Sequence, residues 1–285
     1  MAGRAPPRER MMIALTTYIG RAGDRNACAM RGASTLGEAL AKRTGLQPRR
    51  IGTPAQPIAG GWAAQLDVAL PDLQQFGAYL GEVLDRDARP LSVMGRCAAS
   101  LATLPQVARR RPDAAIVWLD AHGDCNAPTA GAESADNYLG GMVLTGAAGL
   151  WRTGLGADMD LGQVVLVGAR DLDPPERARI ERGEIALVEV GPDLGARLRA
   201  AVGGRAVYVH IDCDVLDAGL APTEYQVPGG FSLPDLAEAC AVLAEGEVVG
   251  VEFTEFEGEW PSGETDDGSR LVAAAEPLLG KMGGG

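Results

Sequence analysis

The stretch that decides the fold reads AIVWLDAHGDCN at residues 115–126, and a second stretch reads AVYVHIDCDVLD at residues 206–217. Each begins as a continuous apolar run, at 115–119 and 206–211, which is typical of a parallel strand covered on both faces. Each run then ends in alternating carboxylates. Since alternate residues of an extended segment share a face, these side chains should converge. The two stretches therefore predict two parallel strands with acidic carboxyl ends.

Strand-like and helix-like runs alternate along nearly the whole chain. Further strands are predicted at residues 12–18, 91–94, 164–167, 185–190 and 248–253, and helices at 29–43, 70–84, 98–111, 174–182, 194–202, 234–244 and 269–279. This order predicts a three-layer αβα fold with a doubly wound, mainly parallel sheet. The Gly-rich stretches separate elements rather than two halves, so we expect one domain over residues 12–285 behind a disordered leader at 1–11. Ligands of such sheets bind beyond the carboxyl ends of the strands.

The composition excludes several classes of protein. Among the 285 residues 46% are hydrophobic and 22% charged, which is typical of a soluble globular chain. The net charge of −12 argues against nucleic-acid and anionic-membrane partners, and no apolar run approaches the roughly 20 residues of a membrane span. Five scattered cysteines, an odd number, favour a reducing cytoplasm over a disulfide framework. The chain has only two histidines, which excludes any imidazole-rich site.

The acidic strand ends predict a metal site. Several buried carboxylates cannot all stay ionised side by side without a counter-charge, and two divalent cations would supply it. Oxygen-rich sites with one imidazole suit Mn²⁺ better than copper or a zinc–thiolate site. The candidate ligands from these two stretches are Asp120, His122, Asp124, Asp212 and Asp214.

Two further residues of the second stretch have simpler interpretations. An aspartate that follows a strand is usually a helix cap or a turn residue, and this alternative is favoured for Asp217, which precedes a turn. His210 lies inside the apolar run, where a hydrogen-bonded histidine on the sheet is expected rather than a metal ligand.

The chain resembles the ureohydrolases, the arginase and agmatinase family of dimanganese enzymes. Residues 120–126 and 212–217 are similar to its two long signatures, and residues 90–104, 167–176 and 251–255 resemble three further family segments. The resemblance implies an arginase-like fold, two Mn²⁺ ions per chain and hydrolysis of a linear amidine C–N bond.

This chain departs most from the family in the first signature. Where the family has Gly-Gly-Asp-His-Ser, this chain has Met94-Gly95-Arg96-Cys97-Ala98, which puts Cys97 at a ligand position. A buried cysteine is more often inert packing, but a cation lowers the pKa of a nearby thiol and lets it bind as thiolate. The resemblance implies one metal on Cys97, Asp120, Asp124 and Asp212 and the other on Asp120, His122, Asp212 and Asp214, with Asp120 and Asp212 bridging.

The resemblance also implies catalytic roles. Glu255 matches a carboxylate that orients the guanidinium, and Asp214 or Asp217 could deliver a proton to the leaving amine. The histidine that arginases carry for proton transfer has no counterpart, because Gly140 aligns with it after a three-residue insertion. We therefore expect weak activity on arginine and hydrolysis of Nω-hydroxy-L-arginine to hydroxyurea and L-ornithine, since a hydroxyl group makes the guanidine less basic.

The substrate end of the site is expected to recognise an amino acid. By resemblance Asn126 holds the α-carboxylate, and Asp173 and Glu176 bind the α-amino group; capping of the helix that begins at Pro174 is a compatible alternative. The loop of residues 223–225, Thr-Glu-Tyr, replaces the family's Thr-Gly-Thr and alters the pocket wall.

Other activities stay open. The chain could hydrolyse arginine, agmatine or another guanidino or formimino compound, or it could be a non-catalytic metal-binding relative that has lost its acid–base histidine. Only a helix and residues 281–285 follow the last site residues, whereas arginases trimerise partly through a C-terminal tail. This favours a monomer or weak homo-oligomer.

Overall fold

The strand and helix patterns fold into one layered arrangement. The computed structural model describes residues 12–128 and 138–283; the predicted leader at 1–11 lies outside the described residues. The strands are β1 (Ile13–Tyr18), β2 (Arg49–Ile51), β3 (Arg89–Met94), β4 (Ala115–Leu119), β5 (Val164–Val167), β6 (Ala186–Val188), β7 (Val207–Asp212) and β8 (Val248–Thr254). The α-helices are α1 (Cys28–Thr44), α2 (Trp62–Leu84), α3 (Ser100–Arg110), α4 (Val143–Ala147), α5 (Pro174–Glu181), α6 (Leu194–Val202), α7 (Leu233–Leu243), α8 (Ser269–Ala274) and α9 (Glu276–Met282).

The strands form one parallel sheet in the order β2-β1-β3-β8-β7-β4-β5-β6. Helices cover both faces, so the predicted three-layer αβα class is confirmed. All five residues of β4 are buried, because Ala115, Val117 and Leu119 pack on one face and Ile116 and Trp118 on the other. A strand covered in this way must be apolar at every position, which is why its run does not alternate.

Some predicted boundaries were wrong, for local reasons. The predicted helix 269–279 is two helices that break at Ala275, because Pro277 lies in the first turn of α9 and has no N–H to continue α8. α2 begins eight residues before the predicted 70–84, and it continues through Pro71. The short β2 and α4 had no predicted counterpart. Among the described residues, no helix is both long and apolar enough to cross a bilayer.

The sheet order decides where the chemistry lies. β3, β8, β7 and β4 are neighbours at its centre, and parallel strands end at the same edge. The carboxyl end of β7 is in register with that of β8, since Asp212 pairs with Thr254. Four distant segments of sequence thus deliver their polar ends to one place.

Candidate metal centre

Four buried aspartates meet where β4 and β7 end, and we call them the aspartate cluster. Asp120 follows β4, Asp212 ends β7, and Asp214 lies in the turn that follows. Asp124 lies on the segment that leaves β4, with a left-handed φ of 45° that few non-glycine residues adopt. Their exposed fractions are 1%, 2%, 3% and 6% for Asp120, Asp212, Asp214 and Asp124. The acidic strand ends of the sequence therefore converge in the fold.

One group of potential ligand atoms centres on His122. Atoms of Asp120, His122 and Asp214 lie within 4.8 Å of one another. The His122 Nδ1 atom lies 3.3 Å from Asp120 Oδ1 and 3.1 Å from Asp214 Oδ2. Asp124 belongs to no such group; it lines the adjoining cavity beside His122.

A second group includes the predicted cysteine ligand. Atoms of Cys97, Asp120, His210 and Asp212 lie within 4.8 Å of one another, so Asp120 belongs to both groups. Cys97 is buried, and its Sγ lies 2.9 Å from Asp212 Oδ2, 3.1 Å from Thr254 Oγ1 and 3.3 Å from His210 Nε2. The thiol therefore faces the aspartates, while Cys97 also belongs to a buried hydrophobic cluster that includes Met94 and Trp118.

The aspartate cluster is electrostatically unbalanced. Burial and the charge of Asp214 raise the pKa of Asp120 and that of Asp212, and burial with the charge of Asp120 raises that of Asp124. Burial alone would raise the pKa of Asp214 too, but its hydrogen bond with His122 outweighs burial and lowers it. Burial would lower the pKa of His122, but the carboxylates of Asp120 and Asp214 outweigh burial and raise it.

This imbalance fits a cation site. Within the described residues, no lysine or arginine forms a salt bridge with the four aspartates; His122 is their only such partner. Carboxylates buried together at this density need a neutralising charge from outside the chain. The carboxylate oxygens that make up most of this donor set suit Mn²⁺ and similar hard divalent cations, while the thiol is a softer donor.

His210 lies directly behind the cysteine. It is fully buried and stacked on Trp118, with ring centroids 3.4 Å apart. Its Nδ1 lies 2.8 Å from Glu252 Oε1; burial opposes ionisation of Glu252, but the contact with His210 outweighs it and lowers the Glu252 pKa. A hydrogen-bonded sheet histidine was expected here. Its approach to Cys97 was not, because that approach depends on the packing of β7 beside β8 and β3.

A second acidic cluster lies beside the first, at the ends of β3 and β8, and sequence reasoning missed it. Its centre is the guanidinium of Arg96, a fully buried side chain. Its partners are Glu255 at 2.6 Å, Glu224 at 2.7 Å, Glu257 at 3.3 Å and Asp24 at 3.5 Å. We call these five residues the arginine cluster. The signal in the sequence was the charge of residue 96, which stands between a buried strand and a buried helical turn.

Glu255, the predicted guanidinium-orienting residue, thus has an internal cation. Its other oxygen, Oε1, accepts a hydrogen bond from the Cys97 N–H at 2.9 Å. Burial raises the pKa of Glu255 to about 7, even though the Arg96 charge acts in the opposite direction.

A cavity of about 340 Å³ adjoins the aspartate cluster and brings the predicted substrate-end residues together. Asn126 Nδ2 donates to Asp173 Oδ2 at 2.8 Å. Glu176 is buried, and it accepts hydrogen bonds from the N–H groups of Cys125 and Asp173, both at 3.0 Å. The second of these bonds is a cap of α5, so the capping interpretation holds while the side chains still line the cavity. The remaining lining residues are Arg25, His122, Asp124, Tyr138, Gly141, Asp171 and Tyr225.

Two tyrosines shape this cavity. A β-carbon on Gly140 would lie 2.6 Å from the Tyr138 ring, so that ring occupies the space beside the position that the family's histidine holds by resemblance. The Tyr138 hydroxyl is buried and has no hydrogen-bond partner within the described residues. Tyr225, from the altered loop, packs edge-on against His122 with centroids 5.2 Å apart and accepts a hydrogen bond from Arg25.

Asp217 lies apart from both clusters in its contacts. Its Oδ1 accepts hydrogen bonds from the N–H groups of Gly229 at 2.7 Å, Ala218 at 3.0 Å and Gly230 at 3.4 Å. These bonds lower its pKa. The geometry is that of the turn residue that was favoured for Asp217 from the sequence.

Comparison with known proteins agrees with this architecture. Residues 17–275 match the Arginase family. The N(omega)-hydroxy-L-arginine amidinohydrolase of Streptomyces lavendulae is 38% identical over 246 residues, which are 86% of this chain and 89% of that protein. The arginase of Bacillus caldovelox is 27% identical over 230 residues, 74% of each chain. The crystal structure of arginase from Bacillus subtilis superposes with a TM-score of 0.78 at 22% identity, covering 94% of this chain and 98% of that one.

Proposed function

Because this chain belongs to the arginase family, we propose that it is a dimanganese amidinohydrolase that converts Nω-hydroxy-L-arginine to hydroxyurea and L-ornithine. The observation that carries the proposal is the cavity beside the aspartate cluster. His122 lines this cavity and lies against the carboxylates. The ring of Tyr138 lies beside Gly140, where by resemblance an arginase has its proton-transferring histidine. The relative that is 38% identical bears the name of this activity.

Two Mn²⁺ ions fit the donor set described above. When bound, they would lower the pKa of a water molecule and so supply a nucleophile at neutral pH. One ion would take Cys97, Asp120, Asp124 and Asp212, and the other Asp120, His122, Asp212 and Asp214.

The remaining steps fall to side chains of the protein. Glu255 orients the guanidine carbon towards the aspartate cluster, since its carboxylate is held rigidly at the end of β8. Asp214, whose lowered pKa keeps it ionised, would accept the proton that the attacking water releases and pass it to the leaving amine. Asp217 is the alternative donor, but its Oδ1 already accepts three backbone hydrogen bonds. The buried hydroxyl of Tyr138 is a donor for the N-hydroxyl oxygen of the substrate, because it has no other described partner.

The hydroxyl group of the substrate explains how hydrolysis proceeds without the histidine. It makes the guanidine less basic, so that more of it reacts in the neutral form and less depends on a protein acid. At the other end, Asn126 binds the α-carboxylate, and Asp173 and Glu176 bind the α-amino group, across the cavity that they line.

We also propose a cellular setting for this reaction. Hydroxyurea release would serve D-cycloserine biosynthesis. A reducing cytoplasm fits the five cysteines, all of which are free thiols. We propose a monomer or weak homo-oligomer.

A substrate panel tests the proposal. The Mn²⁺-loaded protein is given Nω-hydroxy-L-arginine, L-arginine, agmatine, guanidinobutyrate and formiminoglutamate, and the products are identified by mass spectrometry. We expect kcat/KM for the hydroxylated substrate to exceed that for arginine by at least about 100-fold, the scale of a lost acid–base group. Comparable rates on arginine would overturn the choice of substrate.

The panel also separates the other activities. Release of urea from agmatine or guanidinobutyrate, or of formamide from formiminoglutamate, would assign one of those substrates instead. Two bound metals without any product from any compound would favour a non-catalytic relative. Protein treated with a chelator and protein reloaded with Mn²⁺ serve as the matched pair.

A further inference from the structure

We infer that Arg96 determines specificity: it occupies the ion-pairing capacity of Glu255, so that the site prefers a neutral guanidine to a cationic guanidinium. The inference rests on the proposed function and names the device by which the same site rejects plain arginine.

Glu255 is held by three consecutive residues of the loop after β3. Its N–H donates to Gly95 O at 3.1 Å, its Oε2 lies 2.6 Å from Arg96 Nη1, and its Oε1 accepts from the Cys97 N–H at 2.9 Å. Its backbone has a φ of 62°, a left-handed conformation that costs free energy in a non-glycine residue. The carboxylate therefore has one fixed orientation with a donor on each oxygen.

Arg96 is equally fixed. Its side chain is fully buried, and its Nη2 lies 2.7 Å from Glu224 and 3.3 Å from Glu257. The planar guanidinium cannot leave Glu255 without breaking these contacts as well. The two glutamates are engaged in turn, because Asn26 Nδ2 donates to both of them.

These contacts have a consequence for the substrate. A cationic guanidinium that approached Glu255 would lie beside the positive charge of Arg96, which weakens the attraction that the carboxylates of the arginine cluster exert on it. A neutral N-hydroxyguanidine donates a hydrogen bond to the free lone pairs of Glu255 without that repulsion. By resemblance the family has an aspartate where this chain has Arg96, so the sign of the charge beside Glu255 is reversed. A built-in repulsive element of this kind discriminates between two similar ligands.

The test compares three Mn²⁺-loaded variants with the wild type. Arg96→Gln removes the charge, Arg96→Lys keeps it, and Arg109→Gln is the matched control, because Arg109 pairs with Asp158 on the surface at 2.6 Å. For each, kcat and KM are measured with Nω-hydroxy-L-arginine and with L-arginine. We expect Arg96→Gln to lower the ratio of the two kcat/KM values at least 10-fold, mainly through a lower KM for arginine, and the other two variants to keep the ratio within about 3-fold. A folded Arg96→Gln protein with an unchanged ratio overturns the inference.

A binding measurement keeps the inference testable if Arg96→Gln does not fold. Titration calorimetry on the Mn²⁺-loaded wild type compares L-arginine with its neutral isostere L-citrulline. We expect citrulline to bind at least as tightly as arginine; arginine binding 10-fold more tightly contradicts the role of Arg96. Failure of the proposed function is a separate result, because it would appear as no hydrolysis of Nω-hydroxy-L-arginine by the wild type, whatever the two ligands do.

Discussion

Two acidic clusters lie side by side at the carboxyl edge of one sheet, and they differ in the cation that the chain supplies to them. In the arginine cluster, Asp24, Glu224, Glu255 and Glu257 surround a guanidinium that belongs to the chain itself. In the aspartate cluster, four carboxylates have only His122 among the described residues as a partner of opposite charge. The first cluster has its cation once the chain folds, whereas we propose that the second takes up cations from solution.

The carboxylates of the two clusters have different effects on the fold. A buried carboxylate that pairs with a fixed guanidinium holds the backbone in place. A buried carboxylate without such a partner is destabilising until a cation arrives, and under the proposed function this cost is part of what would make the site bind metal. Removing a charge from the two clusters should therefore change the free energy of unfolding with opposite sign.

The largest expected effect is on metal binding. Asp212→Asn should weaken Mn²⁺ affinity and activity by more than about 100-fold. Mutating a residue that only hydrogen-bonds to a metal ligand costs up to about 100-fold, and loss of a ligand itself should cost more. In chelator, however, the variant should be at least as stable as the wild type, since the folded-state pKa of Asp212 is raised and its charge opposes folding at neutral pH. Calorimetry with Mn²⁺ and urea unfolding of the chelated proteins measure the two effects. A chelated variant that is clearly less stable than the chelated wild type would contradict the expectation that the charge of Asp212 opposes folding.

The opposite sign is expected in the arginine cluster. Arg96→Gln should lower the free energy of unfolding by about 3–5 kcal/mol, the usual cost of removing one partner of a buried ion pair. Arg109→Gln, which breaks an exposed pair, should cost about 1 kcal/mol or less. Urea unfolding of both variants in chelator decides the matter. Equal stability of the two would mean that Arg96 stabilises nothing beyond a surface arginine.

A smaller effect is expected at Cys97, which contacts both clusters. Its backbone N–H belongs to Glu255, while its thiol faces Asp212. Cys97→His should change Mn²⁺ affinity by about 10-fold and alter the preference between hydroxylated and plain arginine. In Co²⁺-loaded protein it should abolish thiolate-to-metal charge-transfer absorption. If metal content, absorption and preference all stay the same, the thiol is not a ligand.

The smallest effect concerns Asp217, which lies outside both clusters. Its pKa is lowered by hydrogen bonds from backbone N–H groups, chiefly that of Gly229. The ionised form is therefore favoured in the folded state, and its contribution is present above the unfolded pKa of an aspartate and is lost as pH falls through the lowered value. Asp217→Asn should thus be less stable than the wild type at pH 7 and approach it in acid. Thermal unfolding across that range tests this, with catalysis expected to change little.

The fold class and the aspartate cluster could be predicted from the sequence. Both follow from local patterns: a run such as 115–119 that is apolar at every position must be a strand covered on both faces, and its acidic end must meet that of its parallel neighbour. The lengths of elements were less secure, since Pro71 and Pro277 have opposite effects in their helices that only packing distinguishes.

Which charges meet depends on the tertiary structure. Arg96 and Glu255 are 159 positions apart, and nothing in either local stretch shows that β3 lies beside β8. The same holds for His210 against Cys97, and for Tyr138 beside Gly140. Strand order brings such residues together, and the free energy of a buried charge depends on its neighbours in space. The sequence predicts where acids accumulate, but the fold decides whether an arginine of the chain or a cation from solution neutralises them.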